Sequence, residues 1–411
     1  MTIGRAVVFC RSVNLLICFL LIVLLIRIKI PIGYSLLLVS IFLSLIEFGI
    51  GSQAVKPFIQ TLTEATTWRF IAAVILIVTF GEVLAGEGYM GRLVDALRGY
   101  LSPNAVSKAA PALIGLLPMP GGAMVSAPII EELSRNRDIS AARKTVANYW
   151  WRHIWEPVWP LYQSVILAAA ILNTTVWRIG LMTFPIVVSS ILIGFVLVSP
   201  NFGGTKGAGV GLRRFSAQLG YCLWPIMVIF GLGLIFNGDL LIPLVIVYAI
   251  FIALGLTSAG RIWRSFKKGF SLDIIALFIG SLALAKVISL GRSAGELSSY
   301  FQTTAAGPYL AVMVLPFLIG LLTGLTSAYV GVGFPIVISL FDSVGGQASG
   351  AVLAYAGGLM GIMASPVHLC LVLTKKYFGA EFADIYRLLL PAIAAVLIMV
   401  LAADLIIGNL R

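Results

Sequence analysis

The residues able to do chemistry in this 411-residue chain crowd into one string, Asn148-Tyr-Trp-Trp-Arg-His-Ile-Trp-Glu-Pro-Val-Trp-Pro-Leu-Tyr162. On a helix Arg152 and Glu156 stand four residues apart and His153 and Glu156 three apart, so a cation, an imidazole and a carboxylate share a face. Such a set could draw in an anion through Arg152 while Glu156 and His153 carry a proton or another coupling ion. The competing reading is a structural Arg152–Glu156 pair near a membrane interface, with Trp150, Trp151, Trp155 and Trp159 as an aromatic belt. A second polar string, Ser365-Pro-Val-His-Leu-Cys-Leu-Val-Leu-Thr374, holds the other of the two histidines, His368. Were the strings to meet, His153, Glu156 and His368 would form a two-histidine, one-carboxylate set of the kind that binds transition metals. The histidines lack tight ligand spacing, however, so imidazoles bonded to backbone are expected and a metal site is not.

The elements that hold these strings must be membrane helices. The chain is 60% hydrophobic and only 11% charged, with a mean hydropathy of +1.05; soluble domains carry about a quarter of their residues charged. The 44 kDa chain therefore needs lipid to cover its exterior. Four cysteines, Cys10, Cys18, Cys222 and Cys370, sit far apart in or beside apolar runs, with no Cys-x-x-Cys spacing, so neither a disulfide framework nor a zinc ribbon is indicated. The apolar stretch 13–26 resembles a signal-peptide core but has no small-residue cleavage site after it, and it is read as the first span.

A spanning helix takes roughly 20 apolar residues. Spans are expected near 12–30, 31–49, 68–86 and 177–200, and again near 216–237, 240–258, 272–290 and 386–408, with apolar blocks at 109–130, 146–173, 307–341 and 347–374. The two halves have the same order of parts. Residues 111–125 align without a gap on residues 316–330, with eight identities in fifteen positions. We therefore expect an all-α membrane protein of two repeats. Residues 1–205 would carry a hairpin at 109–133 and a broken helix at 144–173, and residues 206–411 a hairpin at 307–341 and a broken helix at 347–374.

Pro118, Pro120, Gly121 and Gly122 interrupt the first hairpin and Gly324, Thr326 and Ser327 the second. Glu156-Pro157 and Pro160 break one following block, and Gly357-Gly358, Gly361 and Ser365-Pro366 the other. Broken backbone at membrane depth is tolerated only within protein or around a water-filled cavity, so both hairpins are expected to be re-entrant. With five spanning helices per half the second repeat is inverted. An outward N-terminus, and with it an outward C-terminus, then places nineteen Lys and Arg inside against seven outside, leaving Arg152 and Lys286 at membrane depth. The net charge of +12 is thus cytoplasmic loop charge, and no aromatic-interleaved basic face for nucleic acid is present.

Inverted repeats with helices broken at mid-membrane are the architecture of secondary transporters, whose sites form where the repeats face each other. Helix ends there offer amides to anions and carbonyls to cations. The expected binding residues are Pro120, Gly121, Gly122, Asn148, Arg152, Thr323, Thr326, Ser327, Ser365 and His368, with hydroxyls able to hold a carboxylate or sodium. His153, Glu156 and Glu82 are the expected coupling residues. The alternative for the small residues is that they only let helices pack closely. Glu82 and Lys286 occupy nearly equivalent places in the repeats and could pair. The expected substrate is a small anionic solute, driven by sodium or protons; a sodium/proton exchanger resting on Glu156 or Glu82 is the competitor. A membrane enzyme or scaffold is disfavoured, since no catalytic constellation such as His-Glu-x-x-His is visible and the longest polar connections are too short to form a domain; without a nucleotide-binding loop, primary pumping is not expected. No cofactor is expected beyond a coupling sodium ion.

Leu117-Pro-Met-Pro-Gly-Gly-Ala, the Asn148–Tyr162 string and the Ser365–Thr374 string resemble the signatures of a prokaryotic membrane family, domain of unknown function 401, grouped with the ion transporter superfamily. The resemblance spans essentially the whole chain. It implies kinship with carriers of dicarboxylates, citrate and related anions in cell membranes, which are similar in having two inverted repeats, paired hairpins, a homodimeric scaffold and elevator-like movement. Those relatives carry a Ser-Asn-Thr-type tip in each hairpin, where this chain has Pro120-Gly121-Gly122 and Thr326-Ser327.

Overall fold

Apolar runs punctuated by proline and glycine dictate helices, and the computed structural model contains only helices and connections among its described residues, 3–116, 122–135, 137–203, 211–236, 238–291, 299, 301–304 and 306–409. The first half comprises α1 (Ile3–Arg27), α2 (Ile32–Phe48), α3 (Ser52–Thr63), α4 (Ala65–Gly86), α5 (Tyr89–Tyr100), α6 (Pro103–Ile114), α7 (Ala123–Ser134), α8 (Ala141–His153), α9 (Gln163–Ile171) and α10 (Val176–Val198). The second comprises α11 (Leu212–Ile235), α12 (Leu241–Ala253), α13 (Ala259–Gly269), α14 (Leu272–Leu290), α15 (Gly307–Thr323), α16 (Thr326–Leu340), α17 (Gln347–Ala364), α18 (Leu369–Phe378) and α19 (Phe382–Asn409). Six helical stretches among the described residues are long and apolar enough to cross a bilayer. Large apolar side chains such as Leu20, Leu38, Leu181, Leu192, Ile235 and Ile398 stay exposed, as a surface facing hydrocarbon requires. The chain is a multi-pass membrane protein.

Element order recurs along the chain. Helices α1 to α4 begin 207 to 209 residues before α11 to α14, and α6 to α10 begin 203 to 206 residues before α15 to α19. In each half a helix pair around a short break is followed by a second broken helix. α6 packs on α7 and α15 on α16, forming two hairpins; α8 then faces α18 and α17 packs along α15. The connections read from sequence as polar loops contain helices of their own. α5 lies within 87–108, and α13 presents Arg261, Arg264, Lys267 and Lys268 outward while Ile262 and Phe266 rest on the core. Ser258 caps α13 by accepting from the Arg261 amide.

Two expectations are corrected. Helix α17 runs unbroken through Gly357, Gly358 and Gly361 to Ala364, so these glycines do not interrupt it. A Cβ at Gly357 would run into the Met313 carbonyl and one at Gly361 into the Phe317 carbonyl, so they let α17 lie against α15 backbone to backbone. Nor do the tryptophans form an interfacial belt: Trp150 and Trp151 are buried, donating to the Ser190 carbonyl at 2.9 Å and the Ser199 hydroxyl at 3.1 Å, and Trp155 and Trp159 pack against the core.

Candidate functional site where two broken helices meet

Each break has a local cause. Pro157 and Pro160 lack the amides a continuing helix needs, so α8 ends at His153 and the chain crosses 154–162 in turns before α9 starts. Ser365 precedes Pro366 and is therefore extended, at φ −73° and ψ 124°, which ends α17. At the second hairpin Gly324 adopts φ +66°, a left-handed conformation that glycine takes without a Cβ penalty, and the chain reverses in two residues. In the first hairpin α6 ends at Ile114 and α7 begins at Ala123; Pro118, Pro120 and Gly121 lie outside the described residues, while Gly122 stands at the N-terminus of α7.

Helix ends at these breaks are tied off by side chains from neighbouring elements. The Tyr149 hydroxyl donates to the Ile362 carbonyl at 3.2 Å and the Tyr386 hydroxyl to the Ala364 carbonyl at 3.0 Å, satisfying the end of α17. Tyr162 donates to the Gly115 carbonyl at 2.6 Å, and Asn148 Nδ2 to the Ala123 carbonyl at 2.9 Å. Thr323 donates to the Ile319 carbonyl and accepts from the Leu325 amide, and Ser365 accepts from the Val367 amide. These two hydroxyls shape the breaks. Tyr355 donates to Ser164 at 2.8 Å, a further link between the halves.

Inside this frame the two polar strings meet. Arg152 is only 3% exposed and donates from Nη1 to the Tyr162 hydroxyl at 2.9 Å. Glu156, also 3% exposed, lies in the electrostatic field of Arg152 and His368, with the Thr326 hydroxyl against its carboxylate. His153 Nε2 is 3.2 Å from His368 Nε2. Cys370, in the first turn of α18, packs beside His153 and the Ala123 amide at the start of α7. The Oδ1 atom of Asn148 is buried without a hydrogen-bond partner among the described residues. Ser327 is half-buried next to Thr326.

The structure thus brings together Asn148, Arg152, His153, Glu156, Thr326 and His368, with Gly122, Thr323, Ser327 and Ser365 at the breaks around them. It does not bring in Glu82. That residue is exposed on α4 and its nearest cation is Lys268, at 3.8 Å, while Lys286 pairs with Glu64 at 2.5 Å, so the Glu82–Lys286 pair does not form. An exposed pair of this kind contributes little, and Glu82→Gln should leave both the melting temperature and any solute uptake unchanged. Abolished uptake would return Glu82 to the site. Sequence reasoning missed Cys370, Tyr149 and Tyr162 as members. Cys370 follows His368 by two residues in a string already singled out, and Tyr149 precedes His153 by one helical turn.

Spanning helices, paired breaks and a buried polar cluster at their junction define an all-helical, multi-pass membrane protein among the described residues. The chain aligns with the crystal structure of the YdaH transporter of Alcanivorax borkumensis, described as having an unusual topology, at a TM-score of 0.60 and 14% identity over 95% of this chain and 98% of that one; the likeness is one of fold. No curated protein matches the sequence. The family model for protein of unknown function DUF401 matches residues 10–407, and the chain belongs to that family.

Proposed function

We propose that the protein is a secondary active transporter of a small anionic, carboxylate-bearing solute, coupled to sodium or protons. The observation that carries this reading is Arg152, a guanidinium 3% exposed at the junction of two broken helices. Ionisable residues buried in membrane proteins mark substrate and ion pathways, and the starts of α7 and α18 add positive ends of helix dipoles. Glu156 with the Thr326 hydroxyl offers oxygen ligands beside that anion site for a coupling cation. The recurrence of elements supports two repeats, which five crossings per half would relate by inversion. On this reading both termini lie outside the cell membrane of a prokaryote, the protein works as a homodimer, and α6–α9 move with α15–α18 as one elevator-like unit.

Purified protein in liposomes is expected to accumulate a radiolabelled carboxylate under an imposed inward sodium or proton gradient, and to stop when that gradient is collapsed. Sodium or proton flux that needs no organic solute would support the exchanger instead. Equilibration without accumulation, for every carboxylate offered, would remove the secondary-transport reading.

A further inference from the structure

We propose that His153, His368 and Cys370 bind a transition-metal cation of zinc's class, tying the break in the first half to the break in the second. The ligand atoms of the three side chains all lie within 4.8 Å of one another. The decisive geometry is that of the imidazoles. His153 Nδ1 stands 2.7 Å from the Tyr149 carbonyl and His368 Nδ1 2.8 Å from the Gly324 carbonyl. A carbonyl oxygen only accepts, so each Nδ1 carries the hydrogen and each neutral ring presents a bare lone pair at Nε2. Those two lone pairs face each other at 3.2 Å, a repulsive contact unless a cation sits between them.

The spacing suits a metal. Two nitrogens bound tetrahedrally at 2.0–2.1 Å lie about 3.3 Å apart. Metal-bound histidines typically donate the other ring N–H to a carbonyl or carboxylate, which fixes the tautomer, and both do so here. Cys370 supplies the softer third ligand. Its sulfur is beside the Ala123 amide at the start of α7 and lies in the first turn of α18, and helix N-termini favour the thiolate. Binding converts Cys370 S–H to metal-bound thiolate and releases one proton to solvent, while the imidazoles, already bare at Nε2, release none. Arg152 opposes a cation here; the thiolate and Glu156 offset it. Three protein ligands leave the fourth tetrahedral position open for water or an anion. Leu325 and Val367, neighbours of Gly324 and His368 in the chain, are exposed, so the cluster adjoins the surface.

The test is cobalt substitution in detergent-solubilised protein, purified without a polyhistidine tag and stripped with chelator. One Co2+ per chain should bind with the intense visible bands of tetrahedral cobalt and a near-ultraviolet thiolate charge-transfer band, and Zn2+ should displace it. Cys370→Ser should lose the charge-transfer band. His368→Gln should weaken binding by at least the roughly 10- to 100-fold that disturbing a ligand's hydrogen-bond partner costs. Only weak octahedral absorption in the wild-type protein would overturn the proposal irrespective of how the variants fold, leaving a shared proton to separate the rings. A charge-transfer band that survives in Cys370→Ser would overturn it too. Because the readout is spectroscopic, it stands or falls apart from solute uptake.

Discussion

Arg152→Ala is expected to abolish carboxylate uptake by proteoliposomes at substrate concentrations that saturate the wild type only modestly. Truncating one partner of a buried, hydrogen-bonded charge pair between binding partners costs about 2–5 kcal/mol, which at 1.4 kcal/mol per decade is roughly thirty- to a few-thousand-fold in affinity. The loss should appear as a raised half-saturation concentration before it appears in the maximal rate, because Arg152 is assigned to binding the anion. Arg152→Lys keeps the charge but not the planar fork, and should recover part of the affinity. The fold should survive the change: the Tyr162 hydroxyl, which accepts from Arg152, still donates to the Gly115 carbonyl at 2.6 Å and so still ties off the end of α6. An unaltered melting temperature with unaltered uptake in Arg152→Ala would take the anion away from this residue.

Which parts of this could be read from the sequence follows from what each residue type does unambiguously. Proline removes an amide wherever it sits, yet Pro185, Pro225, Pro316 and Pro391 lie inside continuous helices; the breaks after His153 and at Ser365 were legible because Pro157 and Pro160 stand three apart beside Glu156 and because Pro366 follows a run of glycines and a serine. Glycine serves two purposes. Gly324 makes a left-handed turn, whereas Gly357, Gly358 and Gly361 admit a neighbouring helix, and nothing in a run of apolar residues separates those uses. The short amphipathic helix α13 is too polar to register as a span, and its pattern reads as loop charge until Ile262 and Phe266 are seen to share a face.

The cluster was legible only in part for a related reason. Arg152, His153 and Glu156 announce themselves because ionisable groups are costly in apolar surroundings, but a cysteine is itself a small apolar residue. Cys370 therefore looked like core, and its meeting with His153 depends on two breaks that lie about half the chain apart. Glu82 stands apart from the cluster for the opposite reason. It is ionisable in an apolar run, yet helix rotation puts it on the outside, within reach of Lys268.

The packing that aligns the second break leads to the other large effect. Gly357-Gly-Leu-Met-Gly361 places two glycines one turn apart on α17, against the carbonyls of Met313 and Phe317, themselves one turn apart on α15. A Cβ at Gly361 would meet a main-chain oxygen, which cannot rotate away as a side chain can, and at Gly320 a Cβ would lie 2.5 Å from the Gly358 carbonyl. Overpacking of this kind costs typically 1–3 kcal/mol where side chains yield, and here only the helices can yield. Gly361→Val is therefore expected to cost about 3 kcal/mol or more and to lower the unfolding midpoint in detergent by at least about 5 °C, given a few degrees per kcal/mol in large domains. Gly231→Ala is the matched control: nothing lies within 4 Å of its Cβ position on α11, and alanine there should be neutral or stabilising by about 0.5–1 kcal/mol through helix propensity. Since α17 ends only a few residues before His368, prying it from α15 should also pull that imidazole away from His153. Gly361→Val should thus lose the visible bands of bound cobalt even at temperatures where it remains folded. A Gly361→Val protein that melts with the wild type would mean that α15 and α17 do not approach as closely as their glycines allow.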